Sequence, residues 1–155
     1  MVKNSNDENE RREEKTEYLV FRIADENYGV EVKYVKQIIK KGDILPVHGL
    51  PNFILGLTSV NGEIFPVIDL KVKFELLPNN KYDKFSIIIV LIVEEEEVSI
   101  IADSVLDIYT IFTKDLQPTV INKKDKIFTP FESSILDLHF KIIDLEQIFN
   151  LKNLY

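Results

Sequence analysis

Apolar and polar residues fall along this chain in short runs separated by turn residues, the pattern of strands rather than of long helices. Tyr18-Leu-Val-Phe-Arg-Ile23 is rich in β-forming residues, Ala24-Asp-Glu-Asn27 reads as a turn, and Tyr28-Gly-Val-Glu-Val32 alternates as a half-buried strand does. Val35, Ile38 and Ile39 continue the apolar pattern through one helical turn and into a further strand that ends at Lys40-Lys-Gly-Asp43. Ile44 to Pro51, with two prolines and a glycine, is a loop. An apolar strand broken by Gly56 follows, then Val60-Asn-Gly-Glu63, the strongest short hairpin signal because both central residues of the tight turn need positive φ. The second strand of that hairpin ends at Asp69, where a carboxylate can cap a short helix carrying Leu70 and Phe74 on one face.

The second half repeats the style. Leu77 to Lys81 is a turn, and Phe85 to Val93 is apolar and β-branched enough for a strand buried on both faces. Glu94 to Glu97 reads as a solvated hairpin tip before the returning strand Val98-Ser-Ile-Ile-Ala102. Asp103 to Thr113 follows, Lys114 to Lys126 is polar and turn-rich around Pro118, and a last strand pair flanks Leu138-His139. The chain closes in Asp144-Leu-Glu-Gln-Ile-Phe149, where Asp144 and Gln147 have capping-box spacing. Phe65-Pro-Val-Ile-Asp-Leu-Lys-Val-Lys-Phe74 and Phe140-Lys-Ile-Ile-Asp-Leu-Glu-Gln-Ile-Phe149 echo one another at constant offset, coinciding at Phe65/Phe140, Ile68/Ile143, Asp69/Asp144, Leu70/Leu145 and Phe74/Phe149. The echo predicts two similar barrels, each holding one copy of a strand that runs into a capped helical turn. The class expected is all-β with short helices.

Composition narrows the functions. Residues 1–16 are almost wholly polar and charged, too poor in apolar surface to offset the entropy of ordering, and are expected to be a disordered tail ahead of one domain over 17–155. The net charge of −7 argues against nucleic acid and against an anionic membrane surface. With no cysteine in the chain, disulfides, thiolate zinc sites and a cysteine nucleophile are excluded. The N-terminus lacks an apolar signal core, and no segment reaches the roughly 18 unbroken apolar residues of a membrane span. A cytoplasmic protein without direct membrane insertion is expected.

Catalytic chemistry finds little support. His48 and His139 lack a helical partner and the His-Glu-x-x-His arrangement of a zinc hydrolase. No glycine-rich phosphate loop or Gly-x-Ser-x-Gly elbow is present. Asp69, Asp103, Asp107 and Asp144 are the remaining candidates for a carboxylate pair or a Mg²⁺ site, but capping already accounts for Asp69 and Asp144. No cofactor and no metal site is expected.

Pro51-Asn-Phe-Ile-Leu-Gly56, Gly62, Pro66-Val-Ile-Asp-Leu70 and Phe74 resemble the CheW family, adaptors that couple chemoreceptors to the histidine kinase CheA. The resemblance extends to Tyr18-Leu-Val-Phe-Arg-Ile23 with Tyr28-Gly-Val30, Val35-Lys-Gln-Ile38, Ile100-Ile-Ala-Asp-Ser-Val105 with Ile108, and Ile142-Ile-Asp-Leu145, covering about Glu17 to Leu151. It implies two SH3-like β-barrels packed together and no catalytic activity. It implies one surface for the regulatory domain of CheA, including Ile44, Leu45, Leu55 and Gly56. A groove for the helical cytoplasmic tip of a receptor would include Val35, Gln37, Ile38, Asn61, Gly62, Val105 and Ile108. Other CheW-like proteins are further partners of the kind implied, and the location implied is the inner face of the membrane, reached through receptor arrays.

The departures from the family pattern are specific. Gln37 stands where a glutamate is usual and Asn61 where an arginine is usual, at positions that pair in the family. Both ions have become amides, so neither leaves an unpaired charge, and a hydrogen bond between the two amides is expected. The glycine usual near Ser133-Ser134 is missing, which bears on the register of the final hairpin. The alternatives are a CheW-like scaffold of another motility or surface-sensing pathway and, in a different class, a small β-barrel enzyme using paired aspartates.

Overall fold

The computed structural model describes residues 14–73, 82–118, 128–135 and 137–148. Its strands are β1 (Lys15–Ile23), β2 (Glu26–Glu31), β3 (Val35–Lys40), β4 (Ile54–Val60), β5 (Glu63–Ile68), β6 (Ile87–Val93), β7 (Glu96–Ala102), β8 (Ser104–Phe112), β9 (Leu116–Pro118), β10 (Phe128–Ile135) and β11 (Leu138–Ile143). Two four-residue helices, α1 (Leu70–Lys73) and α2 (Leu145–Ile148), follow β5 and β11. Single 3₁₀ turns at Val32–Tyr34 and Thr113–Asp115 lead into β3 and β9.

The strands form two sheets, sheet I in the order β8-β1-β2-β11-β10-β9 and sheet II in the order β3-β6-β7-β5-β4. The two are built alike. In sheet I the hairpin β1–β2 is joined in parallel to β11, which pairs antiparallel with β10. In sheet II the hairpin β6–β7 is joined in parallel to β5, which pairs antiparallel with β4. An edge strand flanks each hairpin, β8 beside β1 and β3 beside β6. Each sheet therefore takes its hairpin from one half of the chain and its strand-to-helix unit from the other. Two barrels are present as the echo predicts, but they are interleaved in sequence.

Strand alternation divides the core into three. The central cluster takes Leu19, Phe21 and Ile23 from β1, Ile89, Leu91 and Val93 from β6, and Ile68, Leu70, Ile143 and Leu145 from the two echo units. The opposite faces fill each barrel: Tyr18, Val20, Ile111, Phe140 and Ile142 in one, Phe65, Val67, Ile88, Val90 and Ile101 in the other. The period of two along a strand sends neighbouring residues to different clusters, which is why Phe85–Val93 reads as apolar on both faces. Equivalent echo residues occupy equivalent places. Phe65 and Phe140 fill the two barrel interiors, and Ile68 and Ile143 the shared layer. Phe74 and Phe149 lie outside the described residues, as do the turn expected at 77–81, most of the tail expected over 1–16, and the stretch 119–127 of the polar segment.

Several boundaries differ from expectation. Strand β1 begins at Lys15, because Lys15 to Tyr18 find partners on β8 from Phe112 to Tyr109. Phe85 lies outside β6 and is 72% exposed, its N–H donating to the Asp83 carboxylate in a turn. The β6–β7 turn is tight, with Glu94 and Glu95 at φ 50° and 68°, while Glu96 and Glu97 already belong to β7. The last hairpin turns at Asp137 (φ 64°) rather than at Leu138-His139, and its register runs regularly from Glu132 opposite Lys141 to Ile135 opposite Leu138 without the missing glycine.

Candidate interaction surfaces

The loop before β4 is held to it by a single bridge. Leu45 and Leu57 exchange both backbone hydrogen bonds, at 2.8 and 2.9 Å, and the Thr58 hydroxyl donates to the Asp43 carbonyl at 3.1 Å. Gly56 makes this possible. A β-carbon there would lie 2.3 Å from the Leu45 carbonyl oxygen and 2.9 Å from Cγ2 of Ile44, and its φ of +155° also disfavours a side chain. Gly56 is buried, so the close approach it permits is to its own chain and not to a partner barrel. Ile44 and Leu55 are half-buried against the sheet II cluster, and Leu45 alone of the four is largely exposed, at 67%.

Sequence reasoning missed the rest of this surface. Leu45 lies opposite Leu57, Leu57 opposite Pro66, and Ile64, 69% exposed, is two residues from Pro66 on the same face of β5. The four make an apolar ladder across three chain segments. An alternation count on β5 alone sets Ile64 on the buried side of an amphipathic strand, and only the register reveals that its face ends in solvent. On the other face, Ile44, Pro46 and Leu55 join Lys41, Asp43, Asp69 and Tyr82 around an open depression of about 660 Å³.

The residues expected to face a receptor fall on three elements. Val35 and Ile38 pair with Leu91 and Ile89, members of the central cluster, so they share the face of sheet II that looks toward sheet I. Val105 and Ile108 pair with Phe21 and Leu19, also of the central cluster, and share the facing side of sheet I. Val35 and Val105 pack against that cluster, whereas Ile38 and Ile108 are 43% and 50% exposed. Both pairs sit on edge strands, where the apolar layer between the sheets reaches solvent. Gln37 differs: it pairs with Val90, of the sheet II interior. Asn61 and Gly62 form the β4–β5 turn with φ 52° and 84°, the geometry the Asn-Gly signal demands.

No hydrogen bond joins Gln37 to Asn61 among the described residues, so that expectation is corrected. The strand-to-turn link is made one residue away by ions. A β-bulge at Lys36, where the β3–β6 register shifts between Val35 and Gln37, lets its ammonium reach Glu63 Oε2 at 3.1 Å and Glu97 Oε1 closer still. These hydrogen bonds, Glu97 first, hold the Lys36 ammonium above its ordinary range, and Lys36 holds the Glu97 carboxyl below its own. β8 is joined to neither element by an ion pair or side-chain hydrogen bond among the described residues.

The acidic candidates are already engaged. Asp69 Oδ1 accepts the Lys71 N–H at 3.0 Å and the Tyr82 hydroxyl at 2.5 Å, and Asp144 Oδ1 accepts the Gln147 N–H at 3.2 Å, so both are the helix caps expected. Burial first, and the Asp69 bond second, push the Tyr82 phenol far above its ordinary range. Asp107 accepts the N–H of Ile108 at 2.7 Å. Asp103 pairs with Lys71 Nζ at 3.0 Å, and that ammonium also lies 4.1 Å from the Tyr82 ring centre. A lysine side chain only 4% exposed is a residue no amphipathic pattern singles out. His48 is exposed, and His139, also exposed, stands 3.4 Å from Glu132. No group of three or more His, Asp or Glu among the described residues is arranged to hold a metal ion, and no described helix is long and apolar enough to cross a membrane.

Comparison with known proteins identifies the family. A family model described as the CheW-like domain matches residues 17–153. A chemotaxis protein CheW of Klebsiella aerogenes is 32% identical over 102 residues, 66% of this chain and 61% of that protein. A probable chemotaxis protein CheW of Rhizobium etli is 28% identical over 137 residues, 86% of this chain and 87% of its own. The crystal structure of the scaffolding protein TtCheW from Thermoanaerobacter tengcongensis superimposes with a TM-score of 0.80 at 27% identity, over 90% of this chain and 96% of that one.

Proposed function

The chain belongs to the CheW-like domain family, and from that premise we propose that it is a non-catalytic adaptor coupling chemoreceptor tips to the regulatory domain of the histidine kinase CheA. What carries the reading is where apolar residues stay exposed. Leu45 lies on a bridged edge of sheet II, and Ile38 and Ile108 lie on edge strands beside the layer between the sheets. A barrel docking edge-on would cover the Leu45-Leu57-Pro66-Ile64 ladder, with Gly56 holding Leu45 in place from beneath. The side of a receptor helix would rest on Ile38 and Ile108 through spaced anchors. In this reading the protein works at the inner face of the membrane, brought there by its receptors.

Replacement of the usual ion pair by Gln37 and Asn61 leaves the Lys36–Glu63–Glu97 group as the charge nearest the β4–β5 turn. Charge at an interface sets partner choice more than total affinity, so the receptor tip preferred is one complementary to this arrangement. The test is a pair of NMR titrations, with a helical-hairpin receptor-tip fragment and with the CheA regulatory domain. Shifts at Ile38, Asn61 and Ile108 with the first and at Leu45 and Ile64 with the second are expected. Both partners perturbing one common surface, or neither binding, would overturn the assignment.

A further inference from the structure

The barrels meet over a wide apolar layer, and such contact is strong but does not by itself fix the angle between two sheets. The directional contact is polar and centres on Asp103, where the chain leaves β7 of sheet II and enters β8 of sheet I. Three of its polar groups reach across. Oδ1 takes the ammonium of Lys71, on α1 of the sheet II barrel, at 3.0 Å. Oδ2 accepts the N–H of Ala24, in the β1–β2 turn of sheet I, at 2.7 Å, and its own N–H donates to the Arg22 carbonyl at 2.9 Å. Ala24 itself sits at φ 54°, a backbone conformation costly for a residue with a β-carbon. The lysine is walled in, its side chain 4% exposed and its charge over the Tyr82 ring. Tyr82 is fixed in turn by Asp69.

The pseudo-equivalent place, at the β2–β3 crossover, is built differently. There α2 presents Glu146, which occupies the place of Lys71 in the echo, and the chain crosses from β2 to β3 through Tyr34. Val32 and Tyr34 pack against the central cluster there, and the polar contact is one solvent-exposed hydrogen bond, Tyr34 hydroxyl to Glu146 Oε1, at 3.3 Å. The polar contact at one crossover is a buried ion pair, at the other an exposed hydrogen bond.

We propose that Lys71 and Asp103 are positioning residues that fix the angle between the two barrels and so hold β8, with Val105 and Ile108, at a set distance across the receptor groove from β3, with Val35 and Ile38. The purpose given to the groove rests on the adaptor reading; the bolt does not. Breaking a buried pair from one side leaves a charge without its partner, whereas Asp103, one-third exposed, is rehydrated when Lys71 is removed. Lys71→Met therefore leaves a folded protein with a looser hinge.

The chain has no cysteine, so spin labels at Ser59→Cys on β4 and Ser134→Cys on β10, both exposed, report the inter-barrel distance cleanly. In the full chain, one narrow distance distribution is expected. Lys71→Met should shift or broaden it by about 2 Å or more, the scale of small interface rearrangements. Lys71→Arg should restore it, and Glu146→Gln should leave it unchanged. Should Lys71→Met not fold, the double variant Lys71→Met/Asp103→Asn, which leaves neither charge without its partner, carries the same measurement. An unchanged distribution in folded Lys71→Met or in the double variant, or an equal change in Glu146→Gln, overturns the proposal. Because no partner is present, neither result depends on whether the protein is an adaptor. Receptor-tip affinity measured on the same variants then connects the angle to binding: a several-fold loss confined to Lys71→Met is expected, and equal affinity in all variants would detach the bolt from the groove.

Discussion

At the scale of single residues, the positions that matter most are those whose chemistry is spent inside the molecule. Gly56 is the clearest. Its α-carbon leaves no room for a side chain beneath Leu45, so Gly56→Ala must displace the bridging backbone. A loss of about 1–3 kcal/mol is expected, read as a lower urea midpoint at unchanged slope. The two helix caps offer a graded comparison. Asp144→Ala removes one N–H acceptor and should cost about 1 kcal/mol. Asp69→Ala removes the same cap and also strands the half-buried Tyr82 hydroxyl, so it should cost more, about 2–3 kcal/mol in the same assay. Equal losses would mean that the Tyr82 bond carries no weight. The capping role of both aspartates is legible in sequence because it depends on neighbours one to three residues away. The second role of Asp69 is not, since Tyr82 is 13 residues away in sequence, and neither is the burial of Lys71, since nothing local distinguishes it from a surface lysine of a short helix.

At the scale of elements, the strands were legible wherever alternation and turn chemistry agreed. The Asn61-Gly62 hairpin is in the conformation its residues demand, and the Phe85–Val93 run supplies β6 apart from its first two residues. The errors lie where pairing across the sheet overrides local preference: Lys15 is drawn into β1 by β8, and Glu94 and Glu95 accept positive φ because the β6–β7 register leaves only two residues for the turn. The expected Gln37–Asn61 bond failed for the same kind of reason, a bulge at Lys36 that rotates the strand and gives the link to Glu63 and Glu97. That link has a pH signature. Glu97 is depressed in the folded state, so its contribution is present above its ordinary value and is lost as pH falls through the lower, folded one. Amide exchange at Asn61 and Gly62 should therefore accelerate, relative to a distant turn such as that at Asp137, only below the usual glutamate range. In Lys36→Met the acceleration should already be present at neutral pH. Turn exchange that is indifferent to both changes would show that the ions do not hold the hairpin.

At the scale of the whole molecule, the echo was enough to expect two barrels, and their interleaving was not, because which hairpin joins which echo unit is decided by parallel pairings between strands far apart in sequence. β2 meets β11, and β5 meets β7. The consequence is mechanical. Neither barrel can be completed by one half of the chain, and both share the central cluster, so a single cooperative unfolding transition is expected. Tyrosine fluorescence and far-ultraviolet circular dichroism should trace coincident urea curves; separate midpoints would mean that the barrels are independent. The surfaces expected for partners came from family resemblance, and exposure differs among their residues. Leu45 faces solvent, Gly56 supports it from inside, and Ile64, also exposed, lay outside the expected set.

The central claim is that this protein couples a receptor to a kinase, and reconstitution tests it most directly. Receptor-tip fragments assembled on vesicles, CheA and this protein are sedimented together and kinase activity is measured in the pellet. Activation that requires all three components, and that is lost with Leu45→Asp or Ile108→Asp at unchanged stability, is the result predicted here. Activity that is the same with and without this protein, or a protein left in the supernatant beside both partners, would contradict it.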